Sequence, residues 1–170
     1  MKTAITPLLV GTLELDTDKG FSGRVTTDDS SRQSFQLNIF EDVTSDPGLL
    51  AGVAPVVDDF HTVSDRARSA LGKLLAAQDE SVLEFVRFHL EEIDDLDERL
   101  RETLDTFLSG DGLPGPVAES FLMDGLVFHK GSEGDLEFWI DFALAPEYSD
   151  EVLCLRFDSS RTPGTISWES

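Results

Sequence analysis

Apolar residues in this chain recur at every second position, then at every third or fourth, then at every second again. Side chains alternate faces along a strand and return to one face about every 3.6 residues along a helix, so the order strand, helix, strand is written into the chain. The first alternating runs are Leu8–Leu15, Phe21–Thr27 and Phe35–Ile39. In the second, Phe21, Gly23 and Val25 share a face; in the third, Phe35, Leu37 and Ile39 point inward, with Gln36 and Asn38 outward. Asp16-Thr17-Asp18-Lys19-Gly20 supplies the Asx and Gly residues of a hairpin turn. These runs predict a half-buried three-stranded meander.

Ser45-Asp46-Pro47 then reads as a helix start, with Pro47 at a first helical position where its missing N–H has no partner to lose. Leu49, Leu50 and Val53 continue it as far as Pro55, which breaks or kinks the run. From there Val56, Phe60, Val63, Ala67, Ala70, Leu71, Leu74 and Leu75 form the apolar stripe of one helix. Asp79 can cap a second, in which Val82, Leu83, Val86, Leu90, Ile93, Leu96, Leu100, Leu104 and Phe107 recur at helical spacing. Asp94 and Asp95 are weak helix formers, which leaves either one long helix or two. Gly110, Gly112, Pro114, Gly115 and Pro116 end the helical part.

Strand patterns return with Phe121–Lys130, where Gly125 is a candidate bulge, and the turn Gly131-Ser132-Glu133-Gly134 leads into Leu136–Leu144. Leu136, Phe138, Ile140, Phe142 and Leu144 occupy one face of that strand, and Glu137, Trp139, Asp141 and Ala143 the other. Val152–Phe157 and Thr165–Trp168 complete a four-stranded meander. The expected class is α+β: antiparallel sheet or sheets from an N-terminal three-stranded and a C-terminal four-stranded meander, with two or three central helices packed on one face. With no low-complexity linker among its 170 residues, the span 1–170 reads as a single domain.

Charge narrows the partners. The chain carries 34 Asp and Glu against 13 Lys and Arg, a net charge of −21. Phosphate backbones and anionic membrane surfaces are held by basic footprints, so neither nucleic acid nor membrane is expected to bind directly, and a basic protein is the partner the charge favours. Acidity also serves solubility or life in a salty cytoplasm. The one cysteine, Cys154, has no partner for an internal disulfide and points to a reducing, cytoplasmic location. The opening Met1–Val10 holds Pro7 and runs into the first alternating segment, so it reads as a strand rather than a leader. No apolar run is long enough to span a bilayer.

The densest constellation is Glu91, Glu92, Asp94, Asp95, Asp97 and Glu98, six acids in eight residues around Ile93 and Leu96. Charges so close repel, and neighbouring Arg99 and Arg101 offset this only in part. A solvated helix face accounts for such a run. A docking surface for a cationic protein accounts for it more sharply, because complementary charge speeds association. These six are the candidate partner-binding residues.

Catalytic signatures are lacking. His61, His89 and His129 are not at paired metal-ligand spacing and Cys154 is distant from them in sequence, so neither a metal site nor a cofactor is expected. His89, beside Glu91 and Glu92, reads as a helix-surface contact. Cys154, between Leu153 and Leu155, reads as a small buried hydrophobe. Neither a Gly-x-Ser-x-Gly elbow nor a phosphate-cradling glycine loop occurs. The calcium-loop-like opening at Asp16 fails, because Thr27 stands where a bidentate Glu is required.

The stretch Pro146-Glu147-Tyr148-Ser149-Asp150-Glu151-Val152-Leu153-Cys154-Leu155-Arg156-Phe157-Asp158, the closing Ile166-Ser167-Trp168-Glu169-Ser170, the segment Phe88-His89-Leu90-Glu91-Glu92 and the strand Leu136–Leu144 resemble an uncharacterised bacterial family of small acidic domains over residues 80–170. No catalytic residues carry over from that resemblance. In size, acidity and layout the chain is also similar to the immunity proteins that protect bacteria from their own toxins. The expected function is therefore a non-enzymatic protein-binding module, of the kind that inhibits a basic toxin. The alternatives are a metal-dependent hydrolase that gathers scattered Asp, Glu and His into one cleft, and a housekeeping domain whose acids serve solubility alone.

Overall fold

A computed structural model describes the whole chain, Met1–Ser170. Strands β1 (Lys2–Ile5) and β2 (Leu13–Asp16) pair antiparallel as a small sheet of their own. Strands β3 (Phe21–Thr26), β4 (Ser34–Ile39), β5 (Leu122–Lys130), β6 (Leu136–Ala143), β7 (Val152–Phe157) and β8 (Pro163–Glu169) form a six-stranded sheet in sequence order. Between β4 and β5 run α1 (Glu41–Thr44), α2 (Pro47–Leu50), α3 (Val53–Asp58), α4 (Phe60–Ala76), α5 (Glu80–Glu92), α6 (Glu98–Leu108) and α7 (Pro114–Ser120). The α+β class and the C-terminal four-stranded meander are as expected, and no helix is long and apolar enough to cross a membrane.

Several expectations are corrected. The helical block holds seven helices rather than two or three, and the break expected at Pro55 falls at Asp59: α3 runs through Pro55 and takes Val56, because a proline in the first turn of a helix has no intrahelical bond to lose. The N-terminal three-stranded meander does not form. Pro7 has no N–H for a ladder and Gly11 takes φ +80°, so the run Leu8–Leu15 turns back on itself, with the Gly11 N–H donating to the Pro7 carbonyl at 2.9 Å. β2 therefore pairs with β1, while β3 and β4 join the main sheet as its edge hairpin. That sheet is also mixed rather than wholly antiparallel: β4 and β5 run parallel, with Leu37 opposite Leu126 and Ile39 opposite Phe128. Parallel neighbours require a long crossover connection, and the entire helical block serves as one.

The block breaks where its sequence is least helical. Asp79 caps α5 by accepting from the Val82 N–H at 3.2 Å, and Asp97 caps α6 by accepting from Leu100 at 3.0 Å. Asp94 and Asp95 fall in the gap, so the acidic segment forms two helices.

One sheet face takes the helices. Phe35, Leu37, Phe128, Ile140, Leu155 and their neighbours are buried there against Phe60, Val63, Leu71 and Phe85. Phe35 and Phe60 stack at 4.2 Å with their rings 12° apart. Arg68 on α4 secures the return of the crossover. Its guanidinium donates to the Ala118 and Phe121 carbonyls at 2.6 and 2.8 Å, satisfying the end of α7 just before β5 begins. Phe60→Ala, which removes the ring joining helix to sheet, is expected to lower the unfolding free energy by about 3–5 kcal/mol in chemical denaturation; a loss below about 1 kcal/mol would place the main core elsewhere.

Candidate functional site

The six predicted acids gather at the corner where α5 ends and α6 begins. Glu91, Glu92, Asp94, Asp95, Asp97 and Glu98 are exposed, whereas Ile93 and Leu96 between them are buried, so the apolar pair anchors the corner and the carboxylates face water. None of the six forms an ion pair. Arg101 is otherwise engaged: its guanidinium donates to the Leu90, Ile93 and Asp94 carbonyls at 3.0, 2.7 and 3.3 Å and so closes the C-terminal end of α5.

The two helix ends make these acids unequal. A helix attracts negative charge at its N-terminal end and repels it at its C-terminal end, by about 0.3–1 kcal/mol per exposed charge. Asp97 and Glu98 open α6, where the dipole favours them. Glu91 and Glu92 close α5, where it does not, and Asp94 and Asp95 lie in the turn between the two ends.

Trp139 and Asp141, marked by the sequence only as outward-facing, belong to a cleft on the face of the sheet that the helices leave bare. Asn38, Phe40, Val127, Trp139, Asp141, Val152, Cys154, Arg156, Ser167 and Glu169 enclose about 430 Å³. Strand pairing sets Val127 opposite Trp139 and Asp141 opposite Cys154. Phe40 stands edge-on to the indole at 5.7 Å, Arg156 lies over it at 5.8 Å, and His129 tilts against it at 4.9 Å. Cys154 donates its thiol hydrogen to Asp141 Oδ1 at 3.0 Å.

Gly125 makes room for that carboxylate, since a Cβ there would come within 2.7 Å of Asp141 Oδ2. The expected bulge is present one residue earlier, at Asp124, where the β5–β6 register shifts. Burial pushes the Asp141 carboxyl above its ordinary range; the Cys154 thiol and the Trp139 indole oppose this, and the charges of Asp124 and Glu169 add to it. Burial likewise pushes the Cys154 thiol up, reinforced by Asp141, and keeps it neutral.

The histidines occupy three separate environments. His61, at the start of α4, places Nε2 2.6 Å from Asp29 Oδ2. His129 lies on β5 beside Trp139. His89 is not a surface contact but a core residue: it has no exposed surface, its ring packs 4.4 Å from Phe85, and its Nδ1–H donates to the Phe85 carbonyl at 2.9 Å. The buried stripe of α5 runs Val82, Phe85, Val86, His89, so the signal was present in the spacing. Burial lowers the His89 pKa. None of the three lines the cleft around Trp139 and Asp141, and the three do not share a site. No known family, curated protein or solved structure matches the chain.

Asp141→Asn preserves the shape of the cleft and removes a desolvated charge. Because the folded carboxyl pKa is raised, its charge penalty acts above that pKa and disappears below the unfolded value of about 3.9. The variant is expected to melt higher than the wild type at neutral pH and to lose that advantage as the pH falls through the carboxyl range. An unchanged or lower melting temperature at neutral pH would contradict the assignment. For His89 the folded pKa is depressed, so the stability it contributes is complete above the unfolded value of about 6.5 and declines as the pH falls below it. His89→Phe should flatten the stability profile just under that pH, and identical slopes for variant and wild type would sink the idea.

Proposed function

We propose that this protein is a non-enzymatic binding module whose α5–α6 corner docks a basic protein, in the manner of an immunity-type inhibitor that masks a cationic toxin such as a nuclease. One observation carries the reading: Glu91, Glu92, Asp94 and Asp95 stand exposed, unpaired and crowded together, the first two in the last turn of a helix whose dipole opposes them. Acids kept for solubility alone could lie on any exposed surface, and most such positions are free of this cost. Concentrated at one corner on two buried apolar anchors, they form a rigid negative patch that steers an incoming positive surface. The net charge of −21 extends the same field around the molecule.

Affinity capture from the native cell at increasing salt, with wild type and the Glu91→Gln, Glu92→Gln, Asp94→Asn, Asp95→Asn variant side by side, tests this. A basic protein should be retained by the wild type, be released as salt rises, and bind the variant with about tenfold or slower association. The purified partner's own activity should fall when the wild-type chain is added. A partner held equally by both chains and indifferent to salt would overturn the electrostatic reading.

A further inference from the structure

The cleft on the bare sheet face combines aromatic walls with a carboxylate that no cation answers. Phe40 and Trp139 meet edge to face at 5.7 Å, and Phe40 is 46% exposed, a large ring left in water at the cleft mouth. Asp141 on the floor is bonded by a thiol and forms no ion pair. Of the arginines nearby, Arg24 pairs with Asp124 at 3.2 Å, and Arg156 lies over the Trp139 ring inside the same cleft without pairing with Asp141. With Asp141 and Glu169 against Arg156 alone, the charged lining is net negative.

A cation placed here gains twice. An aromatic face attracts positive charge through its quadrupole, by about 0.5–1 kcal/mol in the open and more when water is excluded. A poorly hydrated carboxylate gains a charge-assisted hydrogen bond, which is roughly twice as strong as a neutral one. The aromatic walls offer a metal ion no donors, and the acids and thiol do not converge as a set of three or more metal ligands. An organic cation satisfies walls and floor together.

We propose that this cleft receives one basic side chain of the partner protein, a Lys ammonium or Arg guanidinium, held beside the Phe40 and Trp139 rings with Asp141 as its counter-ion. This rests on the reading of the partner as a basic protein and adds a second point of contact, away from the α5–α6 corner. Gly125 and Cys154 are positioning residues here: one leaves the space that Asp141 fills and the other holds its carboxylate. Arg156 shows that the indole accepts a guanidinium, and it is also a like charge that an incoming cation must tolerate.

The probes are N-acetyl-arginine methylamide and N-acetyl-lysine methylamide, with the neutral N-acetyl-glutamine methylamide as control, titrated while the indole N–H resonances are followed by NMR. Trp168 is the internal reference, since its indole donates to Glu151 and packs 5.6 Å from Phe85 at the helix–sheet seam. At least one basic probe should move Trp139 and leave Trp168 in place. Asp141→Asn should weaken that binding about tenfold or more. Arg156→Gln should strengthen it, an opposite sign that a merely structural role does not produce.

The inference falls if the neutral amide moves Trp139 equally, if Asp141→Asn binds as the wild type does, or if Trp139 shifts only with protein concentration, which would mark a second copy as the occupant. The four-acid variant keeps the cleft intact and should bind the probe normally. Loss of probe binding by wild type with retention of a salt-sensitive basic partner would therefore remove this proposal and leave the acidic corner standing.

Discussion

Parallel strands cannot be joined by a tight turn, so the pairing of β4 with β5 determines how the rest of the chain must run. Gln36, Leu37, Asn38 and Ile39 lie opposite Gly125, Leu126, Val127 and Phe128, and this contact fuses an N-terminal hairpin to a C-terminal meander. Everything from Phe40 to Phe121 then has to leave the sheet and return alongside it. Helices do this while burying an apolar stripe, and they cover one sheet face with the Phe35–Phe60 stack near the point of departure. The return is fastened by Arg68 at the end of α7.

The same pairing shapes both candidate binding features. It leaves the opposite face of the sheet uncovered, where successive strands deliver Asn38, Val127, Asp141 and Cys154 to one cleft. It also makes the α5–α6 corner a turn within a long excursion, held by Ile93, Leu96 and the Arg101 cap rather than by its charges. The carboxylates are therefore not part of what holds the corner, except for Asp97, which caps α6. The fold makes no use of these charges, and the dipole of α5 opposes Glu91 and Glu92.

Features set by local pattern could be read in the sequence. The alternation of Leu136–Leu144 gave both faces of β6 correctly, Asp79 was recognisable as a cap, and the apolar spacing marked Ile93 and Leu96 as the buried pair among the exposed acids. Features set by pairing could not. Alternation in Phe35–Ile39 states which side chains point inward but not which strand lies alongside, so the parallel junction was invisible. The split of Leu8–Leu15 depended on Pro7 and Gly11 outweighing a regular apolar pattern. The cleft was hidden for the same reason: Gly125 read as a bulge marker, and only the cross-strand register shows that it gives Asp141 its space. His89 was in phase with Val82 and Val86, yet its polarity argued for the surface; in the fold one backbone carbonyl satisfies Nδ1 and the Phe85 ring packs on the imidazole, while Nε2 is buried with no hydrogen-bond partner.

The central claim is that the acids at the end of α5 are held against the preference of the fold. It is tested most directly by the unfolding free energy of the Glu91→Gln, Glu92→Gln, Asp94→Asn, Asp95→Asn variant at low salt, measured by denaturant titration beside the wild type. The account predicts a variant at least as stable, by roughly 1 kcal/mol or more from relieved helix-end and like-charge repulsion. A variant less stable by a similar amount would show that these carboxylates serve the fold, and would contradict it.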